Sequence, residues 1–278
     1  MSRRTEPRPA RRRRRRIVPV AFAIAASNFV PLWLIVKQAV TSERESFAWP
    51  PTWIPHALTL ENFTRAADAV PLTQGLALSL GVALLTVLST LALALPAAWL
   101  AARVERTGRP LDAVMVLVRL FPTIALAVPL AVIFVHAGLY NDPDARGLWL
   151  AHTLLGLPFA FLILRAAFAD VPVELEEAAR LDGAGPGRVF LQVSLPLVRP
   201  SLGAAAMLVF LVSWDEFAYA LLLQVTNRTL PPLLYYLSAF GHPGLSSAVA
   251  VLMLAPAVVI LVLLEPALRS GVLAGSGR

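Results

Sequence analysis

Residues 174–184 read Glu-Leu-Glu-Glu-Ala-Ala-Arg-Leu-Asp-Gly-Ala, and Phe190 and Leu195-Pro196 follow before Pro200. This is a charged, alanine-bearing island in a chain that is greasy on both sides of it. Pro172 stands just ahead, and Glu174, Glu176 and Glu177 fall in the first turns of the run, where carboxylates complement the positive end of a helix dipole. The cluster Asp182-Gly183-Ala184-Gly185-Pro186-Gly187 breaks that helix, and Arg188 to Ser194 is expected to form a second short helix leading into Leu195-Pro196. Ala178 and Ala179 carry little bulk, so another surface can approach the backbone closely, and the glutamates offer ion pairs. A routine amphipathic loop between two membrane spans has the same composition, and on the residues alone both readings stand.

Moving outward, the chain has 278 residues of which 58% are apolar and 15% charged, with a mean hydropathy of +0.70. A soluble domain of that length cannot bury so much apolar surface. A helix needs about 20 apolar residues to cross a hydrocarbon core of roughly 30 Å. Six stretches qualify, at about 17–37, 72–101, 111–137, 147–169, 201–223 and 246–268. They show no period-two alternation and are too long for barrel strands, so each satisfies its own backbone as a helix. The expectation is an all-α, polytopic membrane protein: a basic tail over 1–16, six transmembrane helices over 17–268 with the 174–200 loop between the fourth and fifth, and a tail over 269–278.

Arg11 to Arg16 followed by Ile17 to Ala26 has the look of a secretory signal. The apolar run continues through Asn28, Pro31 and Trp33 to Val36, which is bilayer length and favours an uncleaved first span. The same arginines and the pI of about 10.9 invite a nucleic-acid reading. Their distribution argues otherwise. With a cytoplasmic N-terminus, 18 of the 24 basic residues fall on one side, and only Lys37, Arg44, Arg65, Arg146 and Arg228 lie opposite, with Arg119 inside a span. That is the positive-inside bias, so both termini and the 174–200 island are expected to be cytoplasmic, with membrane lipid rather than nucleic acid as the surrounding partner. The segment from Thr41 to Val70 is then an outer cap, with Pro50, Pro51 and Pro55 around Trp49 and Trp53 and a helical turn or two over Asn62 to Ala69.

The chain contains no cysteine, and His56, His136, His152 and His242 lack metal-ligand spacing, so no metal site and no cofactor are expected. A phosphate-binding loop needs a lysine beside serine or threonine. The one lysine, Lys37, precedes Gln38 at a membrane boundary. No catalytic set appears, and the chain is not expected to hydrolyse ATP itself.

Glu177-Ala178-Ala179, Asp182-Gly183-Ala184, Phe190 and Leu195-Pro196 together resemble the EAA loop of ABC importer permeases. Ser213-Trp214-Asp215-Glu216-Phe217 is similar to the carbohydrate importers of the maltose-permease type. The likeness extends to Trp53-Ile54-Pro55, Thr59-Leu60-Glu61-Asn62-Phe63, Ala101-Ala102-Arg103 ahead of Gly108-Arg109, and Gly138-Leu139-Tyr140-Asn141. Two departures stand out: Leu78-Ser79-Leu80 where the family shows Asn-Ser-Leu, and Asp215 where it shows asparagine. The resemblance implies the type I importer permease fold, in the second, six-span permease of a pair in a bacterial or archaeal inner membrane. It also implies a homologous second permease, a cytoplasmic ATPase dimer that binds the ATP, an extracytoplasmic solute-binding protein and a carbohydrate substrate. On this likeness Glu177, Ala178, Ala179, Asp182, Gly183, Ala184, Phe190, Leu195 and Pro196 form the ATPase-coupling set, with Glu177 paired to an ATPase arginine and Gly183 allowing a tight reversal.

Polar residues inside spans are costly in lipid and face a pathway or a partner. Arg119, Asp215, Glu216 and Tyr219 are the candidates for a pathway wall, with His136 and His152 nearer the outer boundary. Helix-to-helix pairing explains the same residues equally well. Asp215 and Glu216 are adjacent, about 100° apart on a helix, so one of them is expected to serve packing. An ion-coupled secondary transporter or a membrane enzyme are the rival classes; the first would show an internal repeat and the second a convergent catalytic set, and neither is evident.

Overall fold

A backbone in hydrocarbon must satisfy its N–H and C=O groups within each segment, which selects helices for apolar runs of this length. The computed structural model describes residues 10–275. In chain order the helices are α1 (Ala10–Ala39), α2 (Glu43–Ser46), α3 (Glu61–Ala69), α4 (Leu72–Arg103), α5 (Glu105–Leu120), α6 (Thr123–Ala137) and α7 (Arg146–Ala169). They continue as α8 (Val173–Leu181), α9 (Pro186–Val189), α10 (Leu195–Leu197), α11 (Arg199–Trp214), α12 (Ala218–Leu223), α13 (Leu230–Ala239) and α14 (Pro243–Gly275), with a wider π turn at Phe190–Ser194 joining α9 to α10. Of the expected basic tail, residues 1–9 lie outside the described residues and 10–16 already belong to α1; residues 276–278 of the other tail also lie outside them.

Among the described residues, α4 and α7 are each long and apolar enough to cross a bilayer unaided. The expected continuous span over 111–137 is corrected: α5 and α6 form a pair bent by 98° between Leu120 and Thr123. Pro122 causes the break, because its ring disfavours helical backbone in the residue before it, and Phe121 accordingly sits at φ −79°, ψ 131°. The expected continuous span over 201–223 is corrected too. There α11 stops at Trp214 and α12 starts only at Ala218, while the other end of α11 meets the segment Pro186–Leu197 at 79°. Counting each bent pair as one crossing gives up to four spans among the described residues. The first and sixth expected stretches fall within α1 and α14, the latter containing the shorter apolar helix Pro243–Val259.

The chain divides into two compact units, Met1–Ala69 with Leu237–Leu252 and Val70–Tyr236 with Met253–Arg278. In the larger, α4 and α7 pack side by side with α11 against them. Lipid is as apolar as leucine, so helices in it associate through close approach and dispersion contacts rather than exclusion of water. The buried face of α4 is accordingly small (Gly75, Ala83, Ala94, Ala98), as is much of that of α7 (Ala151, Gly156, Ala160). A Cβ on Gly156 would lie 3.0 Å from Val209 Cγ1 and 3.2 Å from Thr90 Oγ1, so that position admits no side chain without displacement. One buried cluster gathers Ala94, Ala98, Phe161, Leu164, Phe168 and Val209; a second gathers Val82, Phe134, Leu148, Tyr219 and Leu223. Ser89 links the helices through Thr153 (2.7 Å) and Trp149 Nε1 (3.0 Å), and Ser79 accepts the backbone N–H of Leu230 at 2.9 Å.

The turn between α6 and α7 is fastened by its own polar residues. Asn141 Oδ1 accepts the backbone N–H groups of Val225 and Thr226, both at 2.9 Å, and Gln224 donates to the Asp142 carbonyl at 2.9 Å. The Asp142 carboxylate takes the backbone N–H and the guanidinium of Arg146, so hydrogen bonding from Arg146 holds its pKa down to about 2. In the smaller unit, the buried Asn62 amide donates to the carbonyls of Ala39 (3.0 Å) and Thr41 (2.8 Å), tying the short helix α3 to the end of α1. The Asn62 to Ala69 turns expected from the sequence are that helix.

Candidate functional site

The 174–200 island folds as a short helix with a defined stop, followed by further short turns. Helix α8 begins after Pro172 and ends in a Schellman turn: Gly183 N–H reaches the Arg180 carbonyl (3.0 Å) and Ala184 N–H reaches that of Ala179 (2.9 Å). Gly183 has φ +84°, a left-handed conformation that a Cβ disfavours, so the residue type is dictated by the turn. The expected second short helix is α9, the π turn and α10 in succession.

Glu176 is fully buried. Its Oε1 accepts three hydrogen bonds, from Ser194 Oγ (2.6 Å), Arg103 Nη2 (2.8 Å) and Trp99 Nε1 (3.1 Å). Burial alone would raise its pKa, but hydrogen bonds from Arg103, Ser194 and Trp99 outweigh it and hold the carboxyl below the ordinary glutamate value. Arg103, at the last turn of α4, also donates to the carbonyls of Phe168 (2.9 Å), in the last turn of α7, and Val171 (3.1 Å), just beyond it. One buried carboxylate thus joins the island to α4, and its arginine joins both to α7.

The expected coupling residues divide into two groups by exposure. Glu177, Ala178, Asp182 and Gly183 are exposed, Ala179 and Ala184 are half-buried, and Leu181 beside them is 90% exposed. Phe190, Leu195 and Pro196 are half-buried; Phe190 packs against the rings of Trp99 (5.4 Å between centroids) and Phe168 (6.1 Å), and Leu195 against the same cluster. The first group presents a surface, and the second fastens it.

Of the four pathway candidates, the structure brings two to one cavity. Arg119, near the end of α5, and Tyr219, in α12, line a space of about 190 Å³ together with Phe121, Thr123 and Phe159. The Arg119 guanidinium lies over the Phe159 ring at 4.3 Å. Glu216 is buried and does not line the cavity: it accepts the backbone N–H groups of Tyr219 and Ala220, both at 3.0 Å, and its Oε2 is 3.4 Å from His152 Nε2. The carboxylate therefore caps the start of α12 and stabilises the break after Trp214. Asp215 is exposed and does not line the cavity. Glu216 is thus buried and hydrogen-bonded while Asp215 is exposed, and the helical spacing used to separate the two does not apply where α11 has ended. His136 is exposed; His152 is buried with Nδ1 2.8 Å from Ser213 Oγ.

What sequence reading missed is the anchoring network of Glu176, Trp99, Arg103 and Ser194. A usable signal was present in α8, where Glu176 and Ala179 share a face three residues apart while Glu177 is turned about 100° away.

Residues 91–272 match the family described as binding-protein-dependent transport system inner membrane components. Among curated relatives, the sulfoquinovosyl glycerol transport system permease protein SmoH of Agrobacterium fabrum is 33% identical over 265 residues, covering 94% of this chain and 92% of that protein. The trehalose transport system permease protein SugB of Mycobacterium tuberculosis is 33% identical over 80% of this chain and 83% of its own. Among solved structures, a chain of a bacterial ABC transporter involved in import of the acidic polysaccharide alginate matches 96% of this chain with a TM-score of 0.75 at 17% identity, a likeness of fold. On the family match and the relatives' coverage, this chain belongs to the binding-protein-dependent transport system inner membrane components, as a transport permease.

Proposed function

We propose that the chain is one of two homologous permeases of an ATP-driven sugar importer. A solute-binding protein delivers the sugar from outside, and a cytoplasmic ATPase dimer that binds the ATP drives the cycle. The chain sits in a bacterial or archaeal cell (inner) membrane with both termini and α8 in the cytoplasm, and it carries no cofactor of its own. Sugar permeases at 33% identity over most of the chain support the substrate class, and the basic residues around α8 and the termini support the orientation.

The observation that carries the coupling role is the anchoring of α8. Its exposed face offers Glu177 for an ion pair, Ala178 for close approach and Leu181 as an apolar knob. The opposite face is fixed through Glu176 to α4 and the π turn. A push on α8 is then transmitted to α4 and α7, because all three meet at Arg103. Purification with co-expressed ATPase is the test. Glu177→Arg is expected to lose the ATPase and ATP-driven uptake at normal expression; unchanged copurification would refute the ion pair.

A second reading, an ion-coupled transporter, is favoured by the buried pair of His152 and Glu216. Collapse of the proton gradient with ATP held high would stop uptake under that reading and leave it intact under ours.

A further inference from the structure

The cavity between the α5–α6 break, α7 and α12 holds a cation with no counter-charge of its own. Among the described residues no carboxylate lies within ion-pair distance of Arg119, and the nearest acids in sequence to the cavity's elements do not neutralise it. Asp112 pairs with Arg165 at 2.8 Å, Glu216 is filled by two backbone N–H groups and faces His152, and Asp215 does not line the cavity. A guanidinium within a membrane span is costly unless it meets a partner, water or a ligand. Arg119 is exposed, lies over the Phe159 ring at 4.3 Å and lines the cavity, so its N–H donors are available to a solute there.

Those donors match a carboxylate or sulfonate, which accept two parallel charge-assisted hydrogen bonds from one guanidinium. The remaining wall is largely apolar and includes the aromatic residues Phe121, Phe159 and Tyr219, a surface suited to the C–H face of a sugar ring. At about 190 Å³ the space is below the range for drug-sized ligands and suits one ring at a time. Resting on the importer reading, we infer that this cavity is an anion-recognising subsite of the pathway, and that the transported solute is a saccharide bearing a carboxylate or sulfonate group.

The test is ATP-driven uptake by the complete importer, using matched pairs of saccharides: a uronic acid or sulfonated hexose glycoside and its neutral counterpart. Capture at low concentration belongs to the binding protein, so half-saturation is expected to stay while Arg119→Gln lowers the maximal rate for the acidic member roughly 10- to 100-fold. Arg119→Lys, which keeps the charge and loses the bidentate fork, should recover part of that rate, and assembly with the ATPase controls for folding. Equal carriage of the neutral member by the wild type, with acidic uptake spared in Arg119→Gln, would overturn the inference. An anionic phospholipid retained through purification by the wild type and lost from Arg119→Gln, with uptake unchanged, would overturn it in favour of a lipid headgroup. Failure of an assembled complex to carry any saccharide with ATP would instead bring down the importer reading itself.

Discussion

Two neighbouring glutamates, Glu176 and Glu177, show how a single step along a helix changes a side chain's task. The first is buried with three donors on one oxygen, and the second faces outward. Removing the buried partner of an ion pair leaves the other charge uncompensated, so Glu176→Ala is expected to cost about 3–5 kcal/mol, whereas Glu176→Gln, which keeps the shape, should cost about 1–3 kcal/mol. Denaturant or thermal unfolding of the purified protein in detergent measures both; a neutral Glu176→Ala would mean the network carries no load. Asp142 makes a pH-dependent contribution. Its folded pKa of about 2 lies below the ordinary 3.8, so the Arg146 contact stabilises the fold above pH ~4 and is lost as pH falls from there toward 2. The difference in melting temperature between wild type and Asp142→Asn should therefore shrink across that interval. The helix-start glutamates were legible in the sequence as a group, but their separation into inward and outward members depends on what α4 brings to one face. Trp99 and Arg103 are more than 70 residues away, and no local pattern announces them.

Helix α8 and its turn were legible nearly to the residue, because proline, acidic first-turn residues and a glycine cluster act locally. Gly183 makes that reading testable. Nothing lies within 4 Å of a Cβ placed there, so only its positive φ restricts the residue. Gly183→Asn should be tolerated, while Gly183→Val should cost about 1–2 kcal/mol or more in the turn and uncouple ATP hydrolysis from uptake at normal expression. Full coupling in the valine variant would show that the reversal does not need this conformation. The opposite restraint holds at Gly156, where space and not backbone decides: Gly156→Leu is expected to cost about 1–3 kcal/mol by forcing α7 from Thr90 and Val209. The broken spans were the part missed. Hydropathy counts apolar residues and is blind to direction, so 111–137 reads as one crossing although Pro122 marks the bend. At 214–218 there is no proline at all, and the break rests on the Glu216 carboxylate capturing N–H groups that a continuous helix would have used internally.

For the whole chain, hydropathy was enough for the class, since it arises from the membrane itself and not from tertiary detail, and the charge asymmetry supplies an expected orientation. The absence of cysteine makes the orientation directly measurable, because any introduced thiol is the sole one. Ala178→Cys should react with a membrane-impermeant maleimide only when the cytoplasmic face is open, and Ile54→Cys, 73% exposed in the outer cap, should react in intact cells. Labelling of Ala178→Cys from outside would invert the topology and remove the coupling role with it. The 98° bend between α5 and α6 carries a further consequence. A helix leaves its last four carbonyls without internal partners, and hydrocarbon offers them none. Where α5 stops at Leu120 those oxygens require water or another donor, which acyl chains do not supply, so on the proposed importer reading the open side of the bend is expected to face the wet pathway.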